Sequence, residues 1–182
     1  MRKTNVQNLH LTGFSDASYA NCPTTRKSTS GLLIYLGNSP IFWKSRQQSL
    51  VTLSSCEAEL VALTDLALEI VHLRRLLAEL GIPQVMPTTI YTDSQSAQAL
   101  LLQAPGQQGK RSKHISVRYF KVREFITEGI ISLKYIPTDS MLADGLTKAL
   151  PYVPHARLFN TVCLGHELNT VTGTPFPITA AT

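Results

Sequence analysis

Cysteine is scarce in this chain, and its spacing is wrong for a metal knuckle. Cys22, Cys56 and Cys163 are odd in number and far apart, with no Cys-x-x-Cys pair. That argues against structural zinc and for free thiols in a reducing compartment. Long apolar runs are missing too, and the opening Met-Arg-Lys-Thr-Asn-Val-Gln-Asn has no signal-peptide core, so no membrane partner is expected. Charged residues make up only 16% of the chain against 43% hydrophobic, an ordinary globular balance. There is no internal repeat, and 182 residues suit one domain with a real core.

What charge there is falls in informative places. Asp16, Glu59, Asp93 and Asp144 each stand at the start or end of an expected strand or helix. Carboxylates gathered on adjoining elements repel one another and resist burial, so a fold that collects four needs a cation between them. Magnesium prefers oxygen ligands, and paired magnesium ions are a standard means of cutting phosphodiesters. Singly, each acid has a plainer explanation: Asp16 and Asp93 as turn or N-cap residues, Asp144 as a complement to a helix dipole. Jointly they favour a metal site. The net charge is +5, and Lys110, Arg111, Lys113, Arg118, Lys121 and Arg123 follow one another with no acid among them. Such a block usually marks a solvated face; beside a phosphodiesterase site it suits a phosphate backbone.

Residues 1–8 are polar and connector-like. Strands are expected at 10–15, 31–36 and 41–44, joined by turns at 21–28 and at Gly37-Asn38-Ser39-Pro40, an antiparallel meander. Ser54-Ser55-Cys56-Glu57 is a capping box opening a long helix, stopped near Leu80 by Gly81 and Pro83. Leu63, Leu66, Ile70, Leu73, Leu77 and Leu80 form one apolar stripe along it. Glu59 lies one step back on that stripe and should face the sheet, with Glu57 turned to solvent. Further on come a strand at 88–91, helices at 94–102 and 115–127, a strand at 130–136, a turn at 137–140 and a last helix at 141–150. The expected fold class is α/β, an α+β mixed sheet with helices on both faces and sites at strand ends. Residues 9–151 would form the domain, 152–168 an accessory helix, and 169–182 a disordered tail.

Six segments, in order, carry a family resemblance. Gly-Phe-Ser-Asp-Ala-Ser-Tyr-Ala, Arg-Lys-Ser-Thr-Ser-Gly, Ser-Ser-Cys-Glu-Ala-Glu-Leu-Val-Ala-Leu, Tyr-Thr-Asp-Ser-Gln-Ser-Ala, Arg-Ser-Lys-His-Ile-Ser-Val-Arg-Tyr and Leu-Ala-Asp-Gly-Leu-Thr-Lys-Ala-Leu-Pro resemble the ribonuclease H domain of copia-type LTR retrotransposons. The resemblance spans about residues 11–151 and implies the ribonuclease H fold with a five-stranded mixed sheet. It implies cleavage of the RNA strand of RNA–DNA hybrids during reverse transcription, beside the reverse transcriptase of the same polyprotein. By the same resemblance, Asp16, Glu59, Asp93 and Asp144 would be catalytic and would hold two Mg2+ ions, with Mn2+ as a substitute. Gln95 matches a minor-groove contact, and Ser54 and Ser55 match the substrate-facing start of the long helix. Lys113, His114 and Arg118 lie in the copia-type Lys-His-Ile block, where their charge suggests substrate contact. The setting would be intracellular: the cytoplasm, in a virus-like particle, and the nucleus.

One departure stands out. Many cellular ribonucleases H carry a mobile histidine before the last helix, and Pro137-Thr138-Asp139-Ser140-Met141 has none. No histidine is therefore expected to be the essential acid or base. Trp43 and Tyr19 are expected in the core or at a sheet edge. The alternative function is a domesticated or inactive domain that binds nucleic acid or protein without cutting. Integrases and proofreading exonucleases of this fold are disfavoured, the first because they place Glu last, the second because they carry Asp-x-Glu in the first strand.

Overall fold

The computed structural model describes residues 9–103, 116–153, 155, 156, 158 and 162. Among them, β1 (Leu11–Ser18), β2 (Thr29–Leu36), β3 (Ser39–Gln47), β4 (Thr88–Thr92) and β5 (Ile131–Tyr135) form one five-stranded sheet, in the order β3-β2-β1-β4-β5. The first three pair antiparallel, while β4 lies parallel to β1 and β5 parallel to β4. That is the expected mixed sheet. Its strands run longer than their apolar patterns: β1 continues past Asp16, and β3 extends on both sides of Ile41-Phe42-Trp43-Lys44. On the β3 edge Trp43 is 65% exposed, so it is an edge residue and not a core one.

Strand alternation gives the sheet two faces. Leu32, Ile34 and Ile90 join a core with α1 (Ser55–Glu79), α2 (Gln95–Leu102) and α3 (Ser116–Thr127), through Leu63, Leu66, Ile70, Leu101 and Phe125. Their neighbours Leu33, Tyr35 and Tyr91 turn the other way, packing with Phe14 against Ile136, Met141, Leu142 and Ala143. Leu158 and Val162, both helical, pack on this second cluster. Among the described residues no helix is long and apolar enough to cross a membrane.

The helix boundaries follow from their caps. Ser54 Oγ accepts from the Glu57 amide at 3.1 Å, and Glu57 Oε2 accepts from the Leu53 amide at 2.6 Å. The box therefore closes one residue further back than the usual pattern. At the far end Gly81 adopts φ +78°, with Ile82 N donating to Leu77 O and Gly81 N to Ala78 O. Gly129 repeats the arrangement after α3, with φ +68° and Ile130 N on Phe125 O. Both are Schellman stops, which need the left-handed backbone glycine adopts freely. Leu63, Leu66, Ile70 and Leu77 are buried as their stripe predicts; Leu80, at the C-cap, is 66% exposed.

The expected helix at 141–150 is corrected. One short 3-10 turn stands there, Asp144–Leu146, preceded by another at Thr138–Ser140. Met141, Leu142 and Ala143 are all buried in succession, within the cluster on the second face of the sheet. Leu146 O accepts from Ser45 Oγ of β3 at 2.6 Å, a carbonyl thereby bound to the sheet. The close approach depends on Gly31 of β2. A Cβ there would lie 2.6 Å from Thr147 Cγ2 and 2.9 Å from Ala143 O.

Candidate metal centre

Each acidic side chain reaches the site by a different element. Asp16 sits in β1 opposite Gly31 and is 1% exposed. Glu59 lies on the sheet-facing side of α1, 7% exposed, and its Oε1 accepts from the Ala17 amide at 3.1 Å. Asp93 directly follows β4, and its Oδ2 accepts from Thr138 Oγ1 at 2.7 Å. Carboxylate oxygens of Asp16, Glu59 and Asp93 all lie within 4.8 Å of one another. Three hard oxygen ligands at that spacing suit a Mg2+-sized ion.

The energetics agree with the geometry. Burial, then the charges of Asp16 and Asp93, push the Glu59 carboxyl up to about 9. Asp16 is raised as well, chiefly by burial, although Thr147 and Lys148 work against the shift. Without a cation Glu59 thus stays protonated at neutral pH. Its Oε2 is buried with no hydrogen-bond partner among the described residues. A buried orphan oxygen is costly, and a cation bound between these carboxylates removes the cost. The donor set fits a divalent ion.

Asp144 takes a different position. It lies outside the group of three, at the start of the second 3-10 turn. Lys148 Nζ is 2.8 Å from its Oδ1 and 3.6 Å from Asp16 Oδ2. Thr147 adds a short hydrogen bond from its hydroxyl to Asp16 Oδ2.

Of the other predicted residues, Ser54 is the exposed N-cap of α1 and Ser55 its exposed first residue. Gln95 opens α2, exposed, two residues from Asp93. Lys113 and His114 lie outside the described residues; Arg118 falls within α3. Two further members of the basic block have local partners. Lys121 pairs with Glu124 at 2.8 Å and lies over the Phe125 ring, and Arg123 donates to Tyr119 Oη at 3.2 Å. Sequence reasoning missed Thr138, Thr147, Lys148 and the Ala17 amide, which together position the four acids. Only Lys148 had a local signal, its i,i+4 spacing from Asp144.

No family model matches the chain. It is 38% identical over 141 residues to the retrovirus-related Pol polyprotein from transposon TNT 1-94 of Nicotiana tabacum, covering 78% of this chain and 10% of that polyprotein. With the corresponding polyprotein from transposon RE1 of Arabidopsis thaliana, identity is 35% over 150 residues, 82% of this chain and 10% of the relative. Among solved structures, a ribonuclease H1 isolated from compost by a metagenomic approach superposes with TM-score 0.57 at 15% identity, over 76% of this chain and 92% of that one. The ribonuclease H1 of Halobacterium salinarum gives 0.53 at 16%, over 76% and 94%. The chain belongs with the retrovirus-related Pol polyproteins of copia-type transposons, as a segment with the ribonuclease H fold. This ribonuclease H-fold segment spans about a tenth of the length of the relatives it matches.

Proposed function

We propose that this segment hydrolyses the RNA strand of RNA–DNA hybrids during reverse transcription of a retrotransposon, beside the reverse transcriptase of the same polyprotein. The observation that carries the reading is the convergence of Asp16, Glu59 and Asp93 around an orphaned, buried Glu59 oxygen. A solved relative of the fold, at TM-score 0.54 and 13% identity, is a complex with an RNA/DNA hybrid. Asp16, Glu59, Asp93 and Asp144 would hold two Mg2+ ions, or Mn2+ in their place. Such ions supply an activated water and charge stabilisation at the leaving 3′-oxygen.

The chain's own residues then have separable tasks. Thr138 and Thr147 fix the orientation of Asp93 and Asp16, and the Ala17 amide holds one oxygen of Glu59. Ser54, Ser55 and Gln95 present exposed polar groups at two helix starts and would line the hybrid. Lys113, His114 and Arg118 would hold phosphates, a charge-based and sequence-independent attraction. The setting is intracellular, in cytoplasmic virus-like particles and the nucleus. A gel assay on a labelled hybrid, duplex DNA and duplex RNA, with and without Mg2+, tests the whole reading. Cleavage of the RNA strand in the hybrid alone, and only with the ion, is expected; no cleavage, or equal cutting of all three, overturns it.

A further inference from the structure

Lys148 places its ammonium among the carboxylates of this centre. Its Nζ lies 2.8 Å from Asp144 Oδ1 and 3.6 Å from Asp16 Oδ2, joining acids from two separate elements. Among the described residues it is the cation whose charge acts on both Asp16 and Glu59. Its backbone is anchored beside them, because Thr147 donates both to Asp16 and to Asp144 O. The ammonium end is held by one hydrogen bond, to Asp144 Oδ1. The side chain is 38% exposed, and its contact with Asp16 is longer than a hydrogen bond. A lysine stem with four rotatable carbons can leave such a position readily.

One ammonium carries one charge, and a divalent ion on the same oxygens carries two. An ion coordinated by Asp16 Oδ2 and Asp144 Oδ1 would take the oxygens that face the Lys148 ammonium, so the two compete for the same ligands. We propose that Lys148 is an exchangeable counter-ion of this centre: it bridges Asp16 and Asp144 when no divalent ion is bound, and releases them when one binds. The inference rests on the metal-site reading given above. It explains how four crowded acids remain folded without a divalent ion, and it sets a threshold that the ion must exceed to enter.

The test compares the whole chain with its Lys148→Met, Lys148→Gln and Lys148→Arg variants. Mg2+ binding is followed by isothermal titration, and melting is measured in chelator and in saturating Mg2+. The neutral variants should bind Mg2+ about threefold to tenfold more tightly, the scale of one partly exposed ion pair. They should melt lower in chelator and recover the wild-type value once Mg2+ saturates; Arg should behave like Lys. Two neutral variants guard against a single folding failure. Wild-type binding with equal or weaker binding by the neutral variants overturns the exchange alone. A wild type that takes up no Mg2+ overturns the metal-site reading and the exchange with it.

Discussion

Glu59 concentrates the chemistry of the site in one side chain. Its carboxyl moves from an ordinary 4.5 to about 9 on folding, so the folded chain retains a proton that the unfolded chain has lost. A raised acid pKa stabilises fully below the unfolded value, and that contribution is lost as pH rises toward the folded one. In chelator, the melting temperature should therefore fall between about pH 4.5 and 9, and Glu59→Gln should flatten the fall. A wild-type slope no steeper than the variant's contradicts the assignment. Asp93 is the complementary case, since its charge raises both Glu59 and Asp16. Asp93→Asn removes that repulsion while leaving an oxygen for the Thr138 hydroxyl. It should abolish hybrid cleavage yet melt at or above the wild type in chelator. Marked residual turnover, or a clear drop in melting temperature, counts against it.

At the scale of elements, the long helix was legible and the last segment was not. Four residues of the α1 stripe are buried where the 3.6-residue period places them, and Glu59 continues that stripe. Glu57 lies off it, and its carboxylate closes the cap on Leu53. Glu57→Gln should keep most activity and lose at most about 1 kcal/mol of stability, whereas Glu59→Gln should be inactive. Parallel melts and hybrid assays separate the two, and the reverse pattern refutes the helical phase. Residues 141–150 misled because Met-Leu-Ala-Asp-Gly-Leu carries good helix formers whose tertiary partners override propensity. Nothing local announces that Ser45 takes the Leu146 carbonyl or that Gly31 receives Thr147. Gly31→Ala should push this segment off β2, destabilising by about 1–3 kcal/mol and pulling Thr147 from Asp16. Urea unfolding with a cleavage assay checks both losses; a stable, fully active variant means the contact is dispensable.

Across the whole molecule, the sheet turns one face to α1, α2 and α3 and the other to the segment carrying Asp144. The site forms where β1, the end of β4, the start of α1 and that segment meet. The five strands, the helices α1 to α3 and the acids Asp16, Glu59 and Asp93 could be read in one dimension, because periodicity and turn residues are local signals. The hydroxyls that hold Asp93 and Asp16 could not, since their partners lie 45 and 131 residues away. In the basic block, Lys121 and Arg123 are engaged within α3, while the phosphate contacts proposed for Lys113 and Arg118 rest on their charge alone. Neutralising those two together should weaken hybrid binding and lower the salt dependence, by a slope of roughly one per lost phosphate contact. Cleavage at saturating hybrid should change little, because lost uniform binding raises KM without lowering kcat. Binding titrations across a salt series, alongside steady-state kinetics, distinguish the outcomes. An unchanged salt slope means that this end of α3 faces away from the hybrid, and a collapse of kcat means that the block takes part in the chemistry.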